Sequence, residues 1–87
     1  MQIVLHKKFV KKYARLTPKV QLQFKERRDL LIEDTSHPLL NNHELQGALS
    51  GVRSINITGD YRAHYIKIGD DTILFIDIDT HSNLYGA

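Results

Sequence analysis

The C-terminal half of the chain constrains the fold most, because it has the pattern of three consecutive strands joined by tight turns. Apolar and polar side chains alternate over residues 52–58, 61–68 and 72–80, as they do in half-buried strands. The short sequences Thr-Gly-Asp and Gly-Asp-Asp separate these segments, and both consist of residues that favour turns. The pattern predicts a strand meander over residues 52–80.

The N-terminal third predicts one short strand and two helices. Residues 2–5 form an apolar run suited to a buried or edge strand. Phe9 and Tyr13 then recur at helical spacing with lysines between them, which gives an apolar stripe and a basic face. Thr17 precedes a proline, the order of an N-cap and a first helical residue, so a second helix is expected from there to near Asp34. We expect an α+β domain in which these two helices pack antiparallel over one sheet.

Residues 39–51 are the least regular part of the chain. Paired asparagines and two glycines favour a loop, and His43 lies within it. Leu45 and Leu49 are four residues apart and are expected to dock on the core as a single turn. A histidine on a loop held by a rigid scaffold is a catalytic or binding candidate, with an exposed or capping histidine as the alternative.

Composition excludes several classes of protein. A chain of 87 residues predicts a single domain, residues 1–87, with one modest core. The absence of cysteine excludes disulfides and cysteine-ligated metals and is typical of a reducing cytosol. No apolar run approaches the roughly 18 residues of a membrane span, so we expect a soluble cytoplasmic protein with no membrane partner. The five histidines leave a metal site open, but they lack tight ligand spacing, and we expect neither a metal nor any other cofactor.

Charge is distributed unevenly along the chain. Residues 1–28 contain nine lysines and arginines and one glutamate, a net charge of +8. Residues 69–79 contain four aspartates and no basic residue. A basic segment of this kind indicates a nucleic-acid or acidic-protein partner, with a solvated helix face as the alternative. The lysines between Phe9 and Tyr13 are expected to point to solvent.

Polar side chains able to do chemistry are concentrated in and around the predicted sheet. Period-two geometry places Arg62 and His64 on one face of the second meander strand. The same alternation groups Asp77 with Phe75 on one face of the third strand. His81 follows that strand, where its side chain is expected to project from the sheet rim. The full set of candidates is His43, Arg53, Asp60, Arg62, His64, Asp77, Asp79, His81 and Tyr85.

Four short motifs in this region resemble the RelE/ParE superfamily of bacterial type II toxins. They are His-x-Leu-x-Gly starting at His43, Gly-x-Arg ending at Arg53, Gly-Asp-Tyr-Arg ending at Arg62, and Thr-His-Ser-x-x-Tyr ending at Tyr85. Their order and spacing most resemble the YafQ-like branch of RelE-type mRNA interferases. The short first strand and the paired helices extend the resemblance over nearly the whole chain.

The resemblance implies a RelE-like fold, with a short N-terminal strand and two antiparallel helices packed on a twisted, mostly antiparallel sheet. It implies a toxin that cuts messenger RNA on the ribosome without a metal, by attack of the RNA 2′-hydroxyl on the adjacent phosphate. Such a site supplies a base, an acid and positive charge. The resemblance also implies a cognate antitoxin protein, with operator DNA bound only through the antitoxin complex.

Carried onto this chain, the resemblance makes His81 the main catalytic candidate and His43 its partner. Asp60 matches an acidic site residue. The RNA-binding candidates are of two kinds, basic residues that bind phosphates and an aromatic residue that stacks on or orients a base. The basic first helix is expected to contact ribosomal RNA. These RNA-binding residues are Arg53, Arg62, Tyr85, Lys7, Lys8, Lys11 and Lys12.

The chain departs from the YafQ-like pattern at three positions. Asn56 stands in place of a histidine, Asp77 in place of an arginine and Asp79 in place of a glycine. Losing an arginine and gaining two carboxylates beside the site are expected to weaken RNA binding. A structural alternative is that Arg53 and Arg62 pair with these aspartates across neighbouring strands.

Two other functions stay open from the sequence. A ParE-like toxin that binds DNA gyrase would share the fold and would need neither His43 nor His81. A catalytically weak or non-toxic relative would keep only the binding of antitoxin and operator. Cleavage of ribosome-bound message distinguishes the interferase from the gyrase-binding toxin, because only an interferase leaves discrete cuts.

Overall fold

The computed structural model describes residues 1–86. Single 3₁₀ turns occur at Pro38–Leu40 and Gly47–Leu49. The strands and helices are β1 Gln2–Leu5, α1 Lys7–Tyr13, α2 Pro18–Glu33, β2 His43–Glu44, β3 Arg53–Asn56, β4 Tyr61–Ile68, β5 Thr72–Thr80 and α3 His81–Tyr85.

The strands form one five-stranded sheet in the order β1-β5-β4-β3-β2. β1 runs parallel to β5, and the other neighbouring pairs are antiparallel. The chain therefore passes from one edge strand through α1 and α2 to the opposite edge, and then returns as the meander. This topology confirms the predicted α+β class and the mostly antiparallel sheet.

Local capping determines where both N-terminal helices begin. Oγ1 of Thr17 accepts a hydrogen bond from the amide of Val20 at 3.4 Å, and Pro18 occupies the first position of α2. Nδ1 of His6 accepts a hydrogen bond from the amide of Lys8 at the start of α1. α2 ends at Glu33, one residue before the predicted end. Within the described part of the chain, no helix has the length and apolar content needed to cross a membrane.

An aromatic cluster joins the helices to the sheet. Phe9 of α1, Phe24 of α2 and Phe75 of β5 are buried, and the centroid of the Phe24 ring lies 5.0 Å from each of the other two. Tilted and edge-on ring pairs at this separation are favourable. Ile55 and Ala63 belong to the same buried cluster, so the core lies between the two helices and one face of the sheet.

A β-bulge in β5 changes which of its side chains face this core. Tyr65 pairs with Phe75 and His64 pairs with Asp77, so Ile76 is an extra residue without a partner in β4. Paired residues share a face of the sheet, and Asp77 therefore lies with His64 on the face opposite the aromatic cluster. The prediction that grouped Asp77 with Phe75 is wrong, because the bulge interrupts the alternation between them.

Residues 39–51 also differ from the predicted loop. His43–Glu44 forms an edge strand that pairs with β3, and Leu49 is 37% exposed, so it does not dock on the core. Leu40 is fully buried instead. The pairing of β2 depends on a strand that comes later in the chain, and no local pattern indicates it. α3 is likewise too short to show a helical repeat in the sequence.

Candidate active site

A pocket of about 390 Å³ opens on the face of the sheet opposite the aromatic cluster, and we refer to it as the histidine pocket. Its walls come from β2, β3, β4 and α3, which are separated in sequence. The fold thus brings together four of the candidate site residues, His43, Arg62, His81 and Tyr85. The lining residues are Asn41, His43, Leu45, Ser54, Arg62, His81 and Tyr85.

His43 is exposed at the start of β2, and one ring nitrogen is held by the backbone. Nδ1 lies 2.7 Å from the carbonyl oxygen of Asn41. A carbonyl oxygen only accepts hydrogen bonds, so Nδ1 carries the proton and Nε2 of the neutral ring keeps a free lone pair. The arrangement leaves His43 able to accept a proton through Nε2.

His81 is the exposed first residue of α3. Its backbone amide donates a hydrogen bond of 2.7 Å to the carbonyl of Asp60. Oγ1 of Thr80 caps the helix by accepting a hydrogen bond from the amide of Asn83 at 3.2 Å. The cap and the turn between β3 and β4 therefore fix the backbone that presents the His81 ring.

Tyr85 connects α3 to the sheet. Its hydroxyl donates to Oγ of Ser54 at 3.1 Å and lies 2.8 Å from Nε2 of His64. The Tyr85 ring packs against the His81 ring at 4.6 Å between centroids. The hydroxyl is engaged by protein groups, and the predicted contact of Tyr85 with an RNA base stays a prediction.

Arg62 supplies positive charge to the histidine pocket. Its Nη1 donates to the carbonyl oxygens of Thr58 and Gly59 at 3.0 and 3.2 Å. Asp79 is its partner in the β-ladder, but no ion pair joins the two side chains in residues 1–86. The structural alternative, in which Arg62 pairs with an aspartate on a neighbouring strand, is therefore not seen in this part of the chain.

The two aspartates beside the pocket are neutralised from α1. Nζ of Lys12 lies 2.8 Å from Asp77 and 3.1 Å from Asp79, and Nζ of Lys8 lies 3.3 Å from Asp77. The expectation that the lysines between Phe9 and Tyr13 all point to solvent is wrong for Lys12, because the bulge places Asp77 within its reach.

Asp77, Asp79 and Lys12 all have shifted pKa values, and each shift is the balance of burial against nearby partners. Burial alone would raise the pKa of Asp77 and of Asp79. Lys12 and Lys8 outweigh burial at Asp77 and lower its pKa. Hydrogen bonds from Asn83, the Thr80 amide and Lys12 do the same at Asp79. Burial alone would lower the pKa of Lys12, but its two carboxylate partners raise it. The carboxylates that were expected to repel RNA are therefore paired with cations.

His64 lies beneath the histidine pocket and is only 3% exposed. Burial lowers its pKa, and the charge of Asp77 opposite offsets only part of that effect. His64 is one of the candidate residues of the sequence, where period-two geometry already places it on the same face of β4 as Arg62, but no role is predicted for it there.

Arg53 lies outside the histidine pocket. It precedes Ser54 in β3, and consecutive strand residues point to opposite faces of a sheet. Its Nε donates to Oδ1 of Asn42 at 2.9 Å. It lines a separate pocket of about 530 Å³ together with Tyr65 and Lys67. The structure therefore separates two arginines that the sequence analysis assigned to one phosphate-binding set.

The other predicted residues lie around the pocket rather than in it. Asp60 offers its backbone carbonyl to His81, while its exposed side chain is outside the pocket lining. Lys7 and Lys11 are exposed on α1. Among residues 1–86, no group of three or more histidine, cysteine or acidic side chains is arranged to hold a metal ion.

Comparison with known proteins identifies relatives of similar size. Residues 3–85 match the family model described as the ParE toxin of the type II toxin-antitoxin system parDE. Comparison with curated protein sequences found no significant match.

Solved structures of bacterial toxins share the fold. YafQ from E. coli strain BL21(DE3) is 26% identical, with 98% of each chain covered and a TM-score of 0.76. The chain is 25% identical to a protein in the E. coli DinJ-YafQ complex, with 98% of each chain covered and a TM-score of 0.74. A YoeB/ParE toxin from Agrobacterium tumefaciens is 19% identical, with 93% of this chain and 99% of that chain covered and a TM-score of 0.79.

Proposed function

The chain belongs to the ParE toxin family of type II toxin-antitoxin systems, and from this premise we propose that it is a ribosome-dependent mRNA endoribonuclease. One observation carries the proposal. Two exposed histidines, His43 and His81, share a pocket with the arginine Arg62, although the three residues come from separate parts of the chain. A base, an acid and a cation are the groups that cleavage through a 2′-hydroxyl requires.

The proposed reaction begins with proton transfer to His43. Its Nε2 takes the proton of an RNA 2′-hydroxyl, because Nδ1 is already protonated and bonded to the Asn41 carbonyl. The 2′-oxygen forms a bond to the adjacent phosphorus, and the bond from phosphorus to the 5′-oxygen breaks. His81, in its protonated form, gives a proton to that leaving oxygen. The products are a 2′,3′-cyclic phosphate and a free 5′-hydroxyl.

Positive charge in the pocket supports this step. Arg62 is held by backbone carbonyls rather than by a carboxylate, so its charge is available to the crowded phosphorane. Asp77 and Asp79 do not cancel it, because Lys8 and Lys12 bind them. Within the proposal, Asp60 acts beside His81 and Tyr85 contacts an RNA base, whereas Arg53, on the opposite face of the sheet, takes no part at the reacting phosphate.

The proposed partners are the ribosome with its message and a cognate antitoxin. Exposed Lys7 and Lys11 on α1 would contact ribosomal RNA through its phosphates. The antitoxin would use an acidic segment that folds as it binds, because a disordered chain can cover a large part of a small protein. Operator DNA would be bound only by the toxin-antitoxin complex. The solved DinJ-YafQ complex supports the antitoxin part of this proposal.

Primer extension on ribosome-bound message tests the proposed activity. The wild-type protein is expected to leave discrete cuts. His43→Ala and His81→Ala are each expected to lower the cleavage rate by about 10²-fold, the size expected when one proton-transfer partner is removed. His6→Asn is the matched control, because it removes a histidine outside the pocket and keeps a side chain able to cap α1. Full cleavage by the double variant His43→Ala/His81→Ala would overturn the proposal.

The match to a ParE family model favours a second candidate, binding to DNA gyrase. Such a toxin would poison supercoiling without cleaving RNA and without either pocket histidine. A supercoiling assay on the same preparations separates the two functions. Inhibition of gyrase that survives His43→Ala/His81→Ala, together with uncut message, would replace the endoribonuclease by the gyrase-binding toxin.

A further inference from the structure

Two consecutive residues of β4 have buried side chains that carry polar atoms, one on each face of the sheet. His64 is 3% exposed and Tyr65 is 2% exposed. They are neighbours in a regular strand, so their side chains leave β4 in opposite directions. The sequence predicts no role for either residue, and His64 does not line the histidine pocket. Each nevertheless makes a partly buried hydrogen bond that leads to one of the two candidate catalytic histidines.

The path from His64 leads to His81 through the hydroxyl of Tyr85. Nε2 of His64 is 2.8 Å from that hydroxyl oxygen, and the hydroxyl donates to Oγ of Ser54 at 3.1 Å. With its proton given to Ser54, the tyrosine oxygen accepts from Nε2–H of His64. The ring of Tyr85 packs against both His64 and His81, at 5.5 and 4.6 Å between centroids.

This network ties the short C-terminal helix to the sheet. α3 has only five residues, and a helix of that length has little stability of its own. The two hydrogen bonds of the Tyr85 hydroxyl anchor it to β3 and β4. The position of the His81 ring against Tyr85 therefore depends on His64.

The path from Tyr65 leads to His43 through the side chain of Asn42. Nδ2 of Asn42 lies 2.9 Å from the Tyr65 hydroxyl and donates to the carbonyl of Thr35 at 3.1 Å. Oδ1 of Asn42 accepts from Nε of Arg53 at 2.9 Å. These bonds fix the residue that immediately precedes His43.

Asn41 completes this second network. Its backbone is left-handed, with φ of 45° and ψ of 46°, a conformation that residues other than glycine adopt rarely. In this conformation its carbonyl oxygen reaches Nδ1 of His43 at 2.7 Å. The anchored Asn42 holds the chain on one side of this turn, so the orientation of the His43 ring depends on Tyr65.

We propose that His64 and Tyr65 are positioning residues, His64 for His81 through Tyr85 and Tyr65 for His43 through Asn42. The catalytic part of this inference rests on the proposed function, because His43 and His81 are catalytic only within that proposal. Arg53 then has a structural role, because its Nε donates a hydrogen bond to Oδ1 of Asn42, the residue that the Tyr65 hydroxyl also contacts. It also explains why a histidine is buried in a sheet whose other buried side chains are almost all apolar.

A crossed pair of variants tests the inference. His64→Leu removes the hydrogen bond to Tyr85, and Tyr65→Phe removes only the hydroxyl that faces Asn42. NMR is expected to show that His64→Leu shifts the ring resonances of His81 and speeds amide exchange in α3, with the His43 resonances unchanged. Tyr65→Phe is expected to shift the His43 resonances and to leave those of His81 in place. Each variant is thus the control for the other.

Kinetics of message cleavage provide the second measurement. Both variants are expected to lower kcat about tenfold with little change in KM, because a displaced catalytic group costs rate rather than binding. His64→Gln, whose amide can hydrogen-bond to the Tyr85 hydroxyl, is expected to restore most of the rate. Tyr85→Phe is expected to reproduce His64→Leu without a change of core volume, and it serves if His64→Leu fails to fold.

The outcomes separate this inference from the proposed function. Wild-type protein that cuts no message would overturn the endoribonuclease, while the crossed NMR pattern would still support the two positioning networks. His81 resonances that do not move in His64→Leu or in Tyr85→Phe would overturn the His64 arm. His43 resonances that do not move in Tyr65→Phe would overturn the Tyr65 arm. Equal shifts of both rings in every variant would also overturn the inference, since they would indicate general loosening.

Discussion

Asp77 stands directly opposite His64 in the ladder between β4 and β5. Phe75, only two residues earlier, stands opposite Tyr65 on the core side, and the extra residue Ile76 makes the difference. The bulge therefore turns a carboxylate out of the aromatic core and toward α1. Lys12 meets it there at 2.8 Å. A single inserted residue thus sets the charge balance beside the histidine pocket.

The pairing of Lys12 with two aspartates predicts a specific loss of stability. Lys12→Met is expected to lower the free energy of unfolding at neutral pH by roughly 1 kcal/mol, a modest value because these groups are partly screened by solvent. Lys11→Met removes the same charge from an exposed neighbour and is expected to change stability little. Urea denaturation of both variants measures the difference. Equal losses would contradict the assigned ion pairs.

The Lys12 effect should also depend on pH. The pKa values of Asp77 and Asp79 are lowered in the folded protein, so their contribution is complete above the ordinary aspartate pKa and is lost as pH falls through the folded values. The difference between wild type and Lys12→Met is therefore expected to shrink only below about pH 4, near the ordinary aspartate pKa. A difference that disappears at higher pH would point to another titrating group.

Burial of His64 predicts a second pH dependence, in a different range. Its pKa is lowered mainly by burial. Asp77 opposes this effect, whereas His43, Lys12 and Lys8 act in the same direction as burial. The unfolded chain then binds the proton more readily than the folded protein, so stability is full above about pH 6.5 and falls as pH decreases below it. Chemical denaturation should show that the free energy of unfolding falls less with decreasing pH in His64→Gln than in the wild type. The same pH dependence of the free energy of unfolding in both proteins would exclude His64 as the source of the fall.

The exposed lysines of α1 predict salt-dependent binding to ribosomes. Lys7→Gln/Lys11→Gln is expected to weaken co-sedimentation and to flatten its dependence on salt, by roughly 0.7 to 0.9 in logarithmic slope for each phosphate that the variant no longer binds. Lys25→Gln/Lys67→Gln makes the same change of charge elsewhere on the surface and is the control. Lys8 and Lys12 are left intact because they neutralise Asp77 and Asp79. Unchanged binding to ribosomes would show that this face of α1 is only a solvated surface.

The aromatic cluster predicts a large cost for a core substitution in α1. Phe9 is fully buried, whereas the adjacent Val10 is 48% exposed. Phe9→Ala is expected to cost about 3–5 kcal/mol, a large share of the roughly 5–15 kcal/mol that stabilises a small domain. Val10→Ala is expected to change stability by less than about 0.5 kcal/mol. Thermal unfolding followed by circular dichroism compares the two, and similar midpoints would contradict the described core.

Much of the fold was accessible from local sequence patterns. Alternation and turn residues predicted the three meander strands, and Thr17 with its following proline predicted the start of α2. The resemblance to RelE/ParE toxins selected most of the residues that line the histidine pocket. It could not separate Arg53 from Arg62, because both occupy positions that match the family, and their side chains diverge only when β3 pairs within the sheet.

The sequence by itself determined the elements whose causes are local. A cap, a turn or a two-residue alternation acts over a few neighbouring residues and is visible without a partner. The tertiary structure alone decided the bulge at Ile76, the pairing of His43 with Ser54, and the ion pairs between α1 and β5. Each of these is a choice of partner between separate segments of the chain, and its free energy depends on packing that no single segment contains.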